Sequence, residues 1–250
     1  MKYCIIMRCL VILAVFMFIS SVSASVVGND LKIRAEQATQ GLKDLSLTCK
    51  VTYCNMQELK KVSKDFTQRY EIKTSTLMYK SPDKIKMEGK LGLIKMKMVI
   101  NGDKKAFIIP AVGYNKKENI KNKPHKRQSD LDIGMFSDSL WRDYIVNKVE
   151  IEKGENGSVY KLTFCRENAK SRKMICWVDA DSLKLLKQEN FESDGRRIVR
   201  YVYSNHKRVD NCIWVPSKID VYNNDEKLAG TIEYEDIEAN TGISDSEFKL

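Results

Sequence analysis

The run from Tyr79 to Pro110, YKSPDKIKMEGKLGLIKMKMVINGDKKAFIIP, leaves its chain few ways to fold. Between Leu93 and Ile100 apolar and basic residues alternate, so Ile94, Met96, Met98 and Ile100 share one face of a strand and Lys95 and Lys97 the other. Asn101-Gly102-Asp103 tolerates positive φ, so the chain turns back and Ala106 to Ile109 pairs as the next strand of a hairpin. One face of this sheet therefore carries thioethers and branched aliphatics. Period alone favours ordinary core. Methionine also adapts to irregular apolar shapes, which leaves the wall of a ligand cavity as the sharper reading.

The amino terminus has the form of an export signal. Lys2 and Arg8 form a basic region, Cys9 to Ile19 an unbroken apolar run, and Val22-Ser23-Ala24 a small-residue cleavage site. Residues 1–24 are thus expected to be a signal peptide and 25–250 one mature domain, since no Pro/Gly/Ser linker or repeat divides the remainder. An uncleaved anchor is the alternative, because Tyr3 to Val22 is nearly long enough to span a bilayer. Ser25, not a cysteine, stands directly after the cleavage site, so no lipid attachment is expected. The net charge of +10 falls to +8 once Lys2 and Arg8 leave. In an exported chain this basic balance favours an anionic membrane surface or acidic partners, with no nucleic acid expected.

Five cysteines remain after cleavage: Cys49, Cys54, Cys165, Cys176 and Cys212. Cys165 and Cys176 end the two strands of an apparent hairpin, and a turn centred near Lys170 and Ser171 would let them face each other and bridge. Cys49 and Cys54 are an odd distance apart and fall on opposite faces of a regular strand. With only His125 and His206 and no Cys-x-x-Cys, no metal site is expected.

Along the chain, Asp30 to Leu42 reads as an opening helix, with Leu31, Ala35, Ala38 and Leu42 at helical spacing. Leu45 to Tyr53 alternates as a strand, Gln57 to Asp65 is a loop or short helix, and Phe66 to Lys80 reads as a long strand rich in Thr, Tyr and Ile. Ala111 to Asp130 is expected to be a mobile basic loop. Its Lys116, Lys117, Lys121, Lys123, Lys126 and Arg127 are candidate membrane or partner contacts. A helix from Ser129 or Asp130 to about Val146 would carry Ile133, Phe136, Leu140, Trp141 and Tyr144 as a stripe. From Lys148 onward strands and turns repeat as an antiparallel meander. So few helices cannot cover both faces of so many strands. The fold class is therefore mainly β with α: a strongly curved antiparallel sheet with two or more helices over its concave apolar face.

Enzyme patterns are missing. The chain has no Gly-x-Ser-x-Gly elbow, phosphate loop, GxGxxG turn or His-Glu-x-x-His. Asp179/Asp181 and Glu233/Glu235 sit at strand ends or on solvent-facing alternation, and Cys212 with His206 has nothing to orient it. The expectation is a binding protein, not an enzyme, with no cofactor.

Three stretches, in order, point to a family. They are Tyr79-Lys80-Ser81-Pro82-Asp83-Lys84-Ile85-Lys86 with Val99-Ile100-Asn101-Gly102-Asp103-Lys104; Trp177 to Lys187 with Asp194-Gly195 and Ile213-Trp214-Val215-Pro216; and Asn240-Thr241-Gly242-Ile243-Ser244-Asp245-Ser246-Glu247-Phe248. Together they resemble the LolA-like family of exported outer-membrane lipoprotein carriers and, more loosely, its RseB-like relatives. The resemblance implies an unclosed half-barrel with helices over its mouth. It also implies an apolar cavity for acyl chains of lipoproteins or lipids, and a monomer that moves them between donor and acceptor proteins of two membranes, in the periplasm or at the extracytoplasmic face. By position it makes Ile85, Met87, Ile94, Met96, Met98 and Ile100 candidate cavity lining. Period alone adds Tyr70, Ile72, Tyr201, Tyr203, Ile219, Val221, Ile232 and Tyr234 as candidates. Where the best-known carriers keep an arginine before the proline, this chain has Ser81. The alternative is an RseB-like envelope sensor that binds a lipid or protein without transporting it.

Overall fold

The computed structural model describes residues 24–123, 126–127, 130–166, 169–210 and 213–250. Nearly all of the expected signal segment, with His125, Ser129 and Cys212, lies outside the described residues. In chain order the elements are α1 (Ala24–Thr39), β1 (Asp44–Cys54), α2 (Met56–Val62), α3 (Lys64–Glu71), β2 (Thr74–Lys80), β3 (Lys84–Leu91), β4 (Ile94–Asn101), β5 (Lys104–Ile109) and β6 (Tyr114–Asn119). There follow α4 (Leu140–Asp143), β7 (Ile145–Gly154), β8 (Gly157–Arg166), β9 (Ala169–Asp179), β10 (Leu185–Phe191), β11 (Arg197–Val209), β12 (Ile213–Tyr222) and β13 (Leu228–Ala239).

All thirteen strands join one antiparallel sheet in the order β6-β5-β4-β3-β2-β1-β13-β12-β11-β10-β9-β8-β7. Two meanders thus meet at a single seam, where Leu45 stands opposite Ala239 and Cys49 opposite Tyr234. The outer strands β6 and β7 do not pair, so the sheet curves without closing into the expected half-barrel. Its concave face is filled by α1, whose Leu31 and Ala35 are fully buried, and by the segment after β6, which buries Leu131, Ile133, Met135, Phe136 and Leu140. Arg34 fixes α1 against the far meander through a 2.6 Å hydrogen bond to the Ala180 carbonyl.

Local rules explain where the structure departs from expectation. The run Phe66 to Lys80 is not one long strand. Ser63 caps α3, its Oγ accepting from the Phe66 amide at 3.3 Å, and only Thr74–Lys80 is extended. Phe66 and Tyr70 are one helical turn apart, a spacing that the β-favouring residues around them conceal. The basic stretch after Pro110 is ordered in part as edge strand β6, which needs no buried face and so shows no alternation. No continuous helix runs from residue 130 to 146. A 3-10 turn (Asp130–Ile133) stops at Gly134, whose φ is +88° and whose Cα lies so close to Pro216 that an added Cβ would stand 2.5 Å from Cγ. The Cys165–Cys176 bridge is also corrected. The hairpin turns earlier than Lys170, so Cys165 faces Lys173 while Cys176 faces Leu162, and both thiols are free. Three positions apart on alternating faces, they cannot meet.

The closing segment is bound to the seam. Asp44, nearly fully buried, accepts from the amides of Thr241 (2.9 Å), Gly242 (3.2 Å) and Ile243 (3.2 Å). Phe248 is fully buried beyond it, while Lys86 pairs with Glu247 at 2.6 Å and Lys80 with Asp245 at 2.7 Å. Asp44→Ala would leave three amides without their acceptor. We expect a loss of about 1–3 kcal/mol, read as a lower urea midpoint at unchanged slope.

Candidate functional site

Register explains why the concave face is hollow beside β4. Leu47, Leu77, Met87, Met98 and Phe107 form one rung across five strands, and Leu45, Tyr79, Ile85, Ile100 and Lys105 a second. Between the seam and Met96 a third rung holds only Cys49, Ser75 and Gly89. Small side chains there leave space that the methionines border. The result is a cavity of about 660 Å³, lined among others by Phe66, Ile72, Met87, Met96, Met98 and Phe107. That volume lies in the usual range of small-molecule sites, about 300–1,000 Å³.

A second, smaller chamber of about 70 Å³ lies beneath α3. Tyr70, Tyr201, Tyr203 and Tyr234 line it with Ile219, Val221, Ile232, Gln188, Asn190 and Asp132, and Phe66 and Arg69 border both spaces. Register accounts for this grouping, since Tyr203 faces Ile219 and Ile219 faces Ile232, while Tyr201 faces Val221 and Val221 faces Gly230. Gly230 is required where α3 descends onto β13, because a Cβ there would sit 2.2 Å from Tyr70 Cε1. Phe66 stacks on Tyr70 and tilts against Tyr201, each with centroids 6.4 Å apart.

The fourteen apolar candidates thus divide. Ile72, Met87, Met96 and Met98 line the large cavity; Tyr70, Tyr201, Tyr203, Ile219, Val221, Ile232 and Tyr234 line the chamber; Ile85 and Ile100 are buried core. Ile94 lines neither and is exposed at the β3–β4 hairpin tip beside Leu93, which is 99% exposed. The basic group divides too. Lys123 and Lys126 each reach Glu118 at 2.7 Å and Arg127 pairs with Asp103, whereas Lys116, Lys117 and Lys121 stand exposed.

Sequence reasoning missed Phe66, Arg69, Asp132, Gln188, Asn190, Lys105 and Phe107. The Ser63 cap was the available signal for the first two, and the Asn101-Gly102 turn for the last two, since it sets Lys105 opposite Ile100 and Phe107 opposite Met98. Burial draws the Lys105 ammonium below its ordinary value, partly offset by Asp132 and Glu118.

Neither Cys49 nor Cys176 resembles an activated nucleophile. Burial pushes the Cys49 thiol up to about 11 and raises Cys176 as well, the reverse of the low-pKa environment a reactive thiolate needs. Among the described residues no cluster of His, Cys, Asp or Glu could hold a metal ion, and no helix is long and apolar enough to cross a membrane.

The fold is shared with known structures. An outer membrane lipoprotein-sorting protein domain from Vibrio parahaemolyticus superposes with a TM-score of 0.58 at 16% identity, over 88% of this chain and 95% of that one. A LolA superfamily protein from Nitrosomonas europaea gives 0.60 at 11% identity over 89% and 97%. A DUF1329 family protein from Desulfovibrio piger gives 0.54 at 14% over 89% and 96%. Residues 75–250 match a family model described as an uncharacterized protein. No curated protein matches the sequence.

Gly230→Ala should force Tyr70 off β13. We expect about 1–3 kcal/mol of destabilisation, measured by thermal unfolding, with tyrosine fluorescence reporting the displaced ring.

Proposed function

Because the chain belongs to the uncharacterized family whose model it matches, and carries the LolA-like fold, we propose that it is an exported single-domain carrier of acyl chains. It works at the extracytoplasmic face of the membrane or in the periplasm. The observation that carries this reading is the apolar cavity of about 660 Å³ on the concave face, bordered by Met87, Met96 and Met98. Sheets bury such faces as a rule. Here α3 and the 130–143 segment cover the face only in part, and flexible thioethers surround the remaining space.

Burying acyl methylenes is worth about 0.8 kcal/mol each, so a cavity taking part of a chain binds usefully and still releases it to a better acceptor. No chemical step is needed. The rim favours a carrier over a non-transporting module, since Leu91 and Phe107 belong both to the cavity lining and to the exposed apolar surface. Beside them Leu93 and Ile94 project at the hairpin tip between Lys90 and Lys95, and Tyr114 meets Phe107 edge-on at 6.3 Å. Apolar tips flanked by lysines suit the boundary of an anionic bilayer, where cargo would enter and leave.

Mass spectrometry of the purified protein should find acyl chains that pass to acceptor vesicles on mixing. Met96→Asp, a half-buried site on the cavity wall, should lower their binding at least about tenfold while the circular dichroism spectrum is kept. A tight protein partner with no exchangeable lipid would overturn the carrier reading in favour of a sensor. Loss of folding in Met96→Asp would return that face to plain core.

A further inference from the structure

Acyl chains alone give no reason for the chamber beneath α3. It is small, polar and connected to the large cavity through Phe66 and Arg69, the two residues that line both. Two of its hydrogen-bonding groups, the Arg69 guanidinium and the Tyr70 hydroxyl, have donors to spare. The Tyr70 hydroxyl is buried with no partner among the described residues. Tyr203 donates to Gln188 Oε1 at 3.1 Å, and Gln188 Nε2 in turn donates to Asn190 Oδ1 at 3.1 Å, so both amide oxygens are already engaged. Arg69, exposed on α3 where it borders both spaces, makes no ion pair within 4 Å among the described residues. On the side of the large cavity Arg69 and Lys105 stand against Glu71, the Lys97 ammonium lying on the other face of β4 towards Glu88 and Glu247. Lys105 also donates to the Lys126 carbonyl at 3.2 Å.

Asp132 is the acidic member of the chamber. A guanidinium carries five donors in a planar fork, so facing one carboxylate leaves donors for another. The Asp132 carboxylate supports the charge on Arg69. Burial also pushes the Tyr70 and Tyr201 phenols up, which keeps them neutral donors at physiological pH. Such a chamber is built to receive an acceptor.

We infer that the cargo is a carboxylate-headed amphiphile, its tail in the methionine-bordered cavity and its carboxylate against the Arg69 guanidinium and the Tyr70 hydroxyl. This rests on the carrier reading and narrows it to one class. The uncharged acylated cysteine of a lipoprotein would bring no anion to these donors, and a chamber of about 70 Å³ has room for a carboxylate and a water.

The test is displacement of the neutral fluorophore phenylnaphthylamine from the purified, delipidated protein by palmitate and, separately, by hexadecanol, two ligands with equal tails. Palmitate should displace it at about tenfold lower concentration or better, the worth of a charge-assisted bond inside a protein. In Arg69→Gln that preference should fall to near one, and in Tyr70→Phe it should shrink several-fold. Tyr70→Phe serves as the control for any folding loss in the arginine variant, because it removes a single oxygen. Equal displacement by the two ligands in the unaltered protein, or a preference that survives both substitutions, would overturn the inference and leave the carrier reading standing. If neither ligand displaces the probe, the carrier reading falls and this inference falls with it.

Discussion

The pairing of β1 with β13 is the constraint on which the concave face depends. Every other ladder in the sheet joins strands adjacent in sequence, so each meander could curl by itself. Only the seam sets the two curls against each other and brings Cys49 of β1 beside Tyr234 of β13. Asp44 reinforces the seam at one end by gathering the amides after Asn240, and Asn55 marks the other, its amide donating to Ala229 at 2.8 Å while its side chain caps α2. Because β6 and β7 stay apart, the inner surface is a trough and needs a cover.

The cover is uneven, and this produces the site. On the β7–β9 side α1 and the aromatic cluster of Phe136, Trp141, Tyr144 and Phe164 pack to full density, with centroids between 5.6 and 6.3 Å. On the β2–β5 side the large cavity is bordered from above by α3, eight residues long. Small residues at Ser75 and Gly89 then leave a void that methionine borders without filling. Between the two regimes lies the chamber of tyrosines, where polar groups from α3, β10 and the 130–133 turn meet.

Strands that bury one face announce themselves through period two, which is why the Ile94 to Ile100 stretch, the Asn101-Gly102 turn and the later meander were legible in sequence. What was not legible follows from the same physics. Edge strand β6 has no face to bury, so its lysines look like loop. In α3 the β-favouring Tyr and Thr mask a helical pair that only the Ser63 cap reveals. Of the cavity lining, the methionines could be named because they share a strand face. The chamber could not, because Arg69, Asp132 and Gln188 come from three distant segments and meet only through tertiary packing. The free thiols of Cys165 and Cys176 depend on where one hairpin turns, a register difference of three positions that composition does not encode.

The seam also governs when the trough can exist. A ribosome delivers β1 early and β13 nearly last, so through most of synthesis β1 holds β2 on one edge and offers an unsatisfied row of amides and carbonyls on the other. Each meander is built of nearest-neighbour hairpins and can form quickly, whereas joining Leu45 to Ala239 must bear the closure entropy of almost the whole chain. The tyrosine chamber, which draws on α3, the 130–133 turn and strands β10 to β13, is therefore assembled late. The large cavity is lined from residues 66 to 107 alone, so its wall can take shape before the seam closes.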